Sequence, residues 1–284
     1  VNELPDDFFP ISLHRGEEHL IAQHKKVLMG LPKQLHESRE PCIQQYINNS
    51  TALCEKHLLQ HFRIYDIDKL LQVLAKPESL LMAVSDGSHK NERGSFGVAV
   101  GNSEFDLYQI EGPAPYTEEI TAPFRSEAYG FLANIKFLRL LIMIYNVRWQ
   151  QPRKILVYCD NYLLIRRVHR LRYQTNSPRI YLLNDSDVMT QIMYEIQQLT
   201  TQHVILDCQH VKGHQDRHES YESLSQDAQL NVQAHNHAKN YSNNGKHINY
   251  DEFAHTPVTL YINSQAITDD YKKQIRSASR SQDI

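Results

Sequence analysis

The sequence predicts an α/β domain built on a mixed five-stranded sheet with helices on both faces. Two short apolar runs, residues 80–84 and 155–159, each lead into an aspartate and have the length and unbroken apolar character of buried strands. Two strand-like segments follow the first run at hairpin spacing, and an amphipathic stretch then separates them from the second run. An antiparallel meander should therefore pass through a helical crossover into parallel strands.

Residues 1–77 carry Pro5, Pro10, Pro32 and Pro41, then a helical pattern in Ile64, Ile67, Leu70, Leu71 and Leu74 that Pro77 closes. This reads as a partly helical connecting segment without a chemical motif. The run at 80–84 ends in Ser85-Asp86-Gly87-Ser88, a strand entering a turn. Residues 96–101 and 107–110 read as two more strands joined through Gly101, Asn102 and Ser103.

A long helix should follow, with Pro123 in its first turn and Ala128, Phe131, Leu132, Ile135, Leu138, Ile142 and Tyr145 on one stripe, which puts Glu127 about one turn in. Pro152 precedes the second buried run, which ends in Asp160 and gives way to an arginine-rich helix. A helical pattern at 187–199 and a strand at 204–208 lead to Val211-Lys212-Gly213-His214, a polar loop and a final helix. The main domain is placed at 78–241. Beyond it, Ser242, Asn243, Asn244 and Gly245 open a polar linker and short tail, 242–284, in which residues 258–262 alternate like a strand and Thr268, Asp269 and Asp270 resemble a helix start. No catalytic residue is expected in that tail.

Composition narrows the function classes. Of 284 residues, 41% are hydrophobic and 22% charged, and no apolar stretch has the length of a membrane-spanning helix, so no membrane partner is expected. The first twenty residues lack the basic start and apolar middle of a secretory signal, and the four cysteines, Cys42, Cys54, Cys159 and Cys208, form no CxxC pair. Reduced thiols and an intracellular site, cytoplasmic or nuclear, are expected. The net charge of −3 gives the chain no overall attraction to nucleic acid, so any such surface must be local.

The chemistry concentrates at Asp86 and Asp160, both at carboxyl ends of expected central strands, and at Glu127 in the first turns of the neighbouring helix. Carboxylates gathered without cationic partners repel one another, and an oxygen-rich cluster of this kind suits Mg²⁺ or Mn²⁺. Taken singly, each would be read as an ordinary solvated carboxylate or helix cap.

The ordered set Ser85-Asp86-Gly87-Ser88, Arg125-Ser126-Glu127-Ala128, Tyr158-Cys159-Asp160-Asn161 and Val211-Lys212-Gly213-His214 resembles the motifs of the type 1 ribonuclease H family, with intervals of 127 − 86 = 41 and 160 − 127 = 33 residues. The sequence Asp86-Gly87-Ser88-His89-Lys90, Leu224-Ser225 and Leu230-Asn231-Val232 are similar to the ribonuclease H regions of non-LTR retroelement polyproteins, as is Tyr261-Ile262-Asn263 in the tail. The resemblance implies a ribonuclease H-like fold and endonucleolytic cutting of the RNA strand of an RNA/DNA hybrid. It implies two metal ions, Mg²⁺ or Mn²⁺, held by Asp86, Glu127 and Asp160, with His214 assisting proton transfer or product release. The implied partners are the hybrid and a reverse transcriptase in the same polyprotein.

One position departs from the family. The fourth carboxylate normally follows an Asn-x-x-Ala stretch in the last helix, and here Asn231-Val232-Gln233-Ala234 is followed by His235. An imidazole as fourth metal ligand should favour Mn²⁺ over Mg²⁺.

The helix after Asp160 holds Arg166, Arg167, Arg170 and Arg172; with Arg179 and the nearby Lys212, these are the candidate phosphate contacts, against the plainer reading of a solvated helix face. Three alternatives were weighed. His210, His214 and His218 recur every four residues beside Cys208 and suggest zinc, but strand and loop would not align them. A proofreading-type exonuclease would want Asp-x-Glu where Asp86-Gly87-Ser88 stands. A catalytically impaired nucleic-acid-binding module would keep the fold without the chemistry.

Overall fold

The computed structural model describes residues 40–50, 52–90, 93–115, 123–172, 184–246, 248, 260–262 and 265–267. The early prolines Pro5, Pro10 and Pro32, Arg179 and the segment from Thr268 to Asp270 lie outside the described residues.

The first elements are α1 (Glu40–Asn49), α2 (Leu53–Leu59), β1 (Phe62–Ile64) and α3 (Ile67–Ala75). The helical pattern expected from Ile64 onward begins later. Asp66 is in an extended conformation and its carboxylate accepts from the Lys69 backbone N–H at 3.0 Å, an N-cap that starts the helix after Tyr65. Ile64 is left on a strand.

Then follow β2 (Met82–Lys90), β3 (Arg93–Gly101), β4 (Asp106–Ala114), α4 (Pro123–Ile144), β5 (Arg153–Cys159), α5 (Tyr162–Arg172), α6 (Ser186–Thr201), β6 (Val204–His210), α7 (Gln226–Asn244) and the hairpin β7 (Leu260–Ile262) and β8 (Gln265–Ile267). The main sheet is mixed, as expected, but has six strands rather than five, in the order β1-β4-β3-β2-β5-β6. The additional strand is β1, whose Phe62, Arg63 and Ile64 pair antiparallel with Ile110, Gln109 and Tyr108. β2, β3 and β4 form the meander, while β5 runs parallel to β2 and β6 parallel to β5. Helix α7 extends through Ser242 to Asn244, where a linker was expected, and ends at Gly245.

Alternation along the strands gives the sheet two buried faces. Ala83, Phe96, Val98, Val100, Ile155 and Val157 join α4 and the buried residues of α1 to α3 in the larger core. Met82, Val84 and Ala99 pack with Val211, Leu230 and Ala234 under α7. Helix α7 lies very close to β3: a Cβ on Gly97 would sit 2.1 Å from the Ala234 carbonyl oxygen, and Ser95 Oγ donates to the Ala238 carbonyl at 2.8 Å. Helix α4 carries Pro123 as its first residue, where the missing N–H costs nothing, and Asn146 at φ 51° follows its end in the left-handed conformation typical of a helix stop.

The larger core also contains charge. Lys136 pairs with Glu195 at 3.0 Å and with Glu55 at 3.3 Å, and Arg139 forms a short ion pair with Glu195. These contacts tie α4 to α6 and α2. Burial pushes the Glu195 carboxyl up, but Arg139 and Lys136 bring it down to about 2. A carboxyl depressed in the folded state contributes stability above its ordinary value of 4.5, lost as the pH falls toward about 2. Replacing Glu195 by Gln should cost about 3 kcal/mol or more, because it leaves cations buried without their partner. Chemical denaturation should show that loss, and the variant's stability should fall less steeply than the parent's on acidification through this range.

Candidate metal centre

The two aspartates reach one place because β2 and β5 are parallel neighbours with Ser85 opposite Cys159, so the next residue of each strand, Asp86 and Asp160, stands at the same level. Glu127 arrives from the first turns of α4. It can do so only because residue 87 is glycine: a Cβ there would lie 2.5 Å from the Glu127 backbone nitrogen. The Gly87 N–H donates to the Glu127 carboxylate.

Arg125, two residues before Glu127, anchors this end of α4. Its buried guanidinium donates to the Pro115 carbonyl at 2.8 Å, to Asp185 at 3.2 Å, to Asp187 at 3.1 and 2.6 Å, and to the Tyr129 hydroxyl at 3.1 Å. Sequence reasoning quoted Arg125 in a motif without giving it a role, since nothing local links it to Asp187 on α6.

The three carboxyls differ in surroundings. Glu127 is pushed well above the ordinary range, first by burial and then by Asp86 and Asp160. Asp160 is raised to about 6 by burial and Asp86, a shift that His235 reduces. Negative charge has been gathered here in excess, and a bound cation would displace protons from the cluster.

Donor atoms of Glu127, Cys159 and Asp160 lie within 4.8 Å of one another, the only such grouping of three among the described residues. Asp86 is not in that grouping, although its charge acts on both Glu127 and Asp160. Cys159 was missed as a site residue because, although it stands inside the Tyr158-Cys159-Asp160-Asn161 motif, the resemblance assigns a role there to Asp160 alone. Its place directly before Asp160, with strand alternation turning it toward α4, was the available signal.

His235 comes from α7 on the opposite face. Its Nδ1 meets Asp86 Oδ2 at 2.7 Å, and this hydrogen bond raises the imidazole's pKa against the opposing effect of burial. A carboxylate can only accept, so Nδ1 carries the proton and Nε2 is the nitrogen left for a metal. The His214 ring stands edge-on to that of His235, with centroids 4.9 Å apart. The zinc alternative, which the sequence already argues against, gains nothing: His210 Nε2 is engaged by the Asp160 carbonyl at 3.0 Å, and Cys208 Sγ by Arg172 at 3.0 Å.

The basic residues of α5 divide into two groups. Arg172 donates to the Leu206 carbonyl at 2.9 Å and His169 meets the Cys208 carbonyl at 2.8 Å, so both cover the open edge of β6. Arg167 donates to the Asn184 carbonyl at 2.8 Å and lies over the Phe124 ring at 4.3 Å. Arg166, Arg170 and Lys212 are exposed. The side chains that face solvent are thus those with room for a phosphate.

No protein-family model matches this chain, and no curated protein matches its sequence. Solved structures that resemble it include the N-terminal RNase H domain of a Mycobacterium tuberculosis protein fused to maltose-binding protein, at 11% identity, covering 58% of this chain and 98% of that one, with a TM-score of 0.36. An RNase H1 isolated from compost is 12% identical over 57% of this chain and 94% of its own, with a TM-score of 0.36. A foamy viral protease-reverse transcriptase in complex with RNA/DNA hybrid is 10% identical, covering 61% of this chain and 21% of that one, with a TM-score of 0.35. No helix among the described residues is long and apolar enough to cross a membrane.

Two expectations follow from the geometry. A Cβ on Gly213 would meet Asp160 Oδ2 at 2.5 Å, and Gly213 does not have positive φ, so Gly213→Ala should displace the carboxylate while leaving the backbone intact. Calorimetric titration should show Mn²⁺ affinity reduced by about tenfold, with an unchanged melting temperature. Replacing Arg166 and Arg170 together by Ala should lower the slope of hybrid binding against salt by about one to two units, whereas Arg172→Ala should lower thermal stability and leave the slope alone.

Proposed function

We propose that this chain is a metal-dependent nuclease of the ribonuclease H type that cuts the RNA strand of RNA/DNA hybrids by a two-metal-ion mechanism. The observation that carries this reading is the gathering of Asp86 from within β2, Asp160 from just past the end of β5 and Glu127 from the first turns of α4 in one partly buried place, where their charges act on one another. The donor set fits hard divalent cations: carboxylate oxygens predominate, and among the described residues Asp86 has only the His235 imidazole as an ion-pairing partner. Asp86, Glu127 and Asp160 would hold Mg²⁺ or Mn²⁺. Such ions, when bound, supply an activated water and neutralise charge on the leaving 3′-oxygen.

The chain's own residues do the rest. Arg166, Arg170 and Lys212 hold backbone phosphates through charge alone, which makes the grip independent of sequence. His214, exposed beside His235, is placed to take or deliver a proton at the rim of the cluster. The motif resemblance extends the reading to a retroelement-derived protein with a reverse transcriptase in the same polypeptide. The second reading, a module that binds hybrid without cutting it, draws on one specific contact. His235 already supplies Asp86 with a hydrogen-bond donor where a fourth carboxylate would have demanded a metal.

The test is hydrolysis of a hybrid carrying a labelled RNA strand, with Mn²⁺ or Mg²⁺. Cleavage to 5′-phosphate ends is expected, faster with Mn²⁺. Asp86→Asn should reduce it by about 10²-fold or more while hybrid binding persists, and His235→Asp should raise activity with Mg²⁺. Binding by the parent and by His235→Asp, with no cleavage by either in either metal, would establish the binding module instead.

A further inference from the structure

We propose that Cys159, together with Glu127 and Asp160, forms a mixed sulfur and carboxylate site that takes a thiophilic divalent cation, Zn²⁺ or Cd²⁺, in place of the hard cation of the nuclease reaction. The inference rests on the reading of Glu127 and Asp160 as cation ligands and adds to it Cys159, a residue of the Tyr158–Asn161 motif to which the resemblance assigns no role. Cys159 Sγ lies 3.6 Å from Glu127 Oε2. Tetrahedral zinc, with its usual bond lengths to sulfur and oxygen, sets those two donors about 3.5 Å apart. Asp160 completes a grouping within 4.8 Å.

Two further contacts suit a metal-bound thiolate. The Asn161 backbone N–H points to Cys159 Sγ at 3.4 Å, a donor that stabilises charge on sulfur. The Ser85 hydroxyl is fully buried, has no hydrogen-bond partner among the described residues, and belongs to the residue opposite Cys159 in the parallel β2–β5 register. Its side chain therefore shares the Cys159 face of the sheet, where it can donate to the thiolate or offer an oxygen to the ion.

A site for hard cations alone has no use for sulfur in this position, because Mg²⁺ and Ca²⁺ select oxygen while thiolate selects softer ions. The other described cysteines have different surroundings: Cys208 faces the Arg172 guanidinium, and Cys54 stands outside the acidic grouping. On binding, the cation replaces the thiol proton, which leaves to solvent, and no electron is transferred. The ion then occupies Glu127 and Asp160, so it excludes Mg²⁺ and Mn²⁺ and inhibits hydrolysis.

The test is titration of the full chain with Cd²⁺ alone, followed by the ultraviolet thiolate-to-cadmium charge-transfer absorption. The band should saturate at one ion per chain, vanish in Cys159→Ser, and persist in a variant whose Cys42, Cys54 and Cys208 are all replaced by Ser. Asp160→Asn should keep the band and weaken Cd²⁺ affinity by about tenfold or more. The three-serine variant retains Cys159, so the proposal stays exposed even where Cys159→Ser does not fold. Absence of the band in the parent, its loss from the three-serine variant, its survival in Cys159→Ser, or an unchanged affinity in Asp160→Asn each overturns the site. Because the band is read without substrate, it separates this proposal from the nuclease reading: a chain that binds Cd²⁺ through Cys159 and never cuts hybrid retains the one and loses the other.

Discussion

Holding Glu127 next to Asp86 and Asp160 is the constraint on which the rest of this structure depends. Like charges in a partly desolvated place raise each other's pKa and oppose the packing that brings them together. The opposition is met mechanically. Arg125 fixes the start of α4 through two aspartates, a tyrosine hydroxyl and a carbonyl, and Gly87 allows the helix backbone to touch the strand. Gly130 continues the same contact one turn later, where a Cβ would already be 3.3 Å from Asp86 O. Close approach of helix to strand brings the carboxyl to the aspartates, and the buried ion ties keep it there.

The opposite face repeats the device with a different result. Gly97 and the Ser95 hydroxyl bring α7 against β3, and the helix then carries His235 to Asp86. The two helices therefore deliver groups of opposite character to the same stretch of β2, Glu127 from one side and an imidazole from the other. Neither glycine is needed for a turn; both are needed because a backbone passes where a side chain would be.

Much of this was legible in the sequence, and the parts that were not have physical reasons. The apolar runs ending in Asp86 and Asp160 announced buried strands because both faces of those strands are covered. Strand β1 was not legible: three residues are too few to display a period of two, and Ile64 also fits the helical spacing of the residues after it. The motif order located Asp86, Glu127, Asp160 and His235, but contacts between distant elements carry no local signature. Nothing in the segment around Arg172 says that its guanidinium covers the edge of β6, while Arg166 and Arg170, within two turns on the same helix, face solvent. Cys159 shows the same limit in reverse, since its importance comes from the Glu127 carboxyl on another element.

The contact between His235 and Asp86 makes the two halves of the cluster unequal. Asp86 has a proton donor in hydrogen-bond contact, so part of its charge is answered within the chain. Glu127 and Asp160 have Cys159 beside them, a neutral thiol whose proton burial holds in place. In the proposed reaction a first cation therefore gains most at the Glu127 and Asp160 side, where His235 acts on Asp160 through space and not by a hydrogen bond. A second cation at the Asp86 side must displace the Nδ1–H hydrogen bond or share Asp86 with it, and has only His235 Nε2 to receive it from α7. His235 thus bears most directly on the Asp86 half of the cluster, so in the proposed reaction loss of the second ion and loss of the first are different failures with different remedies.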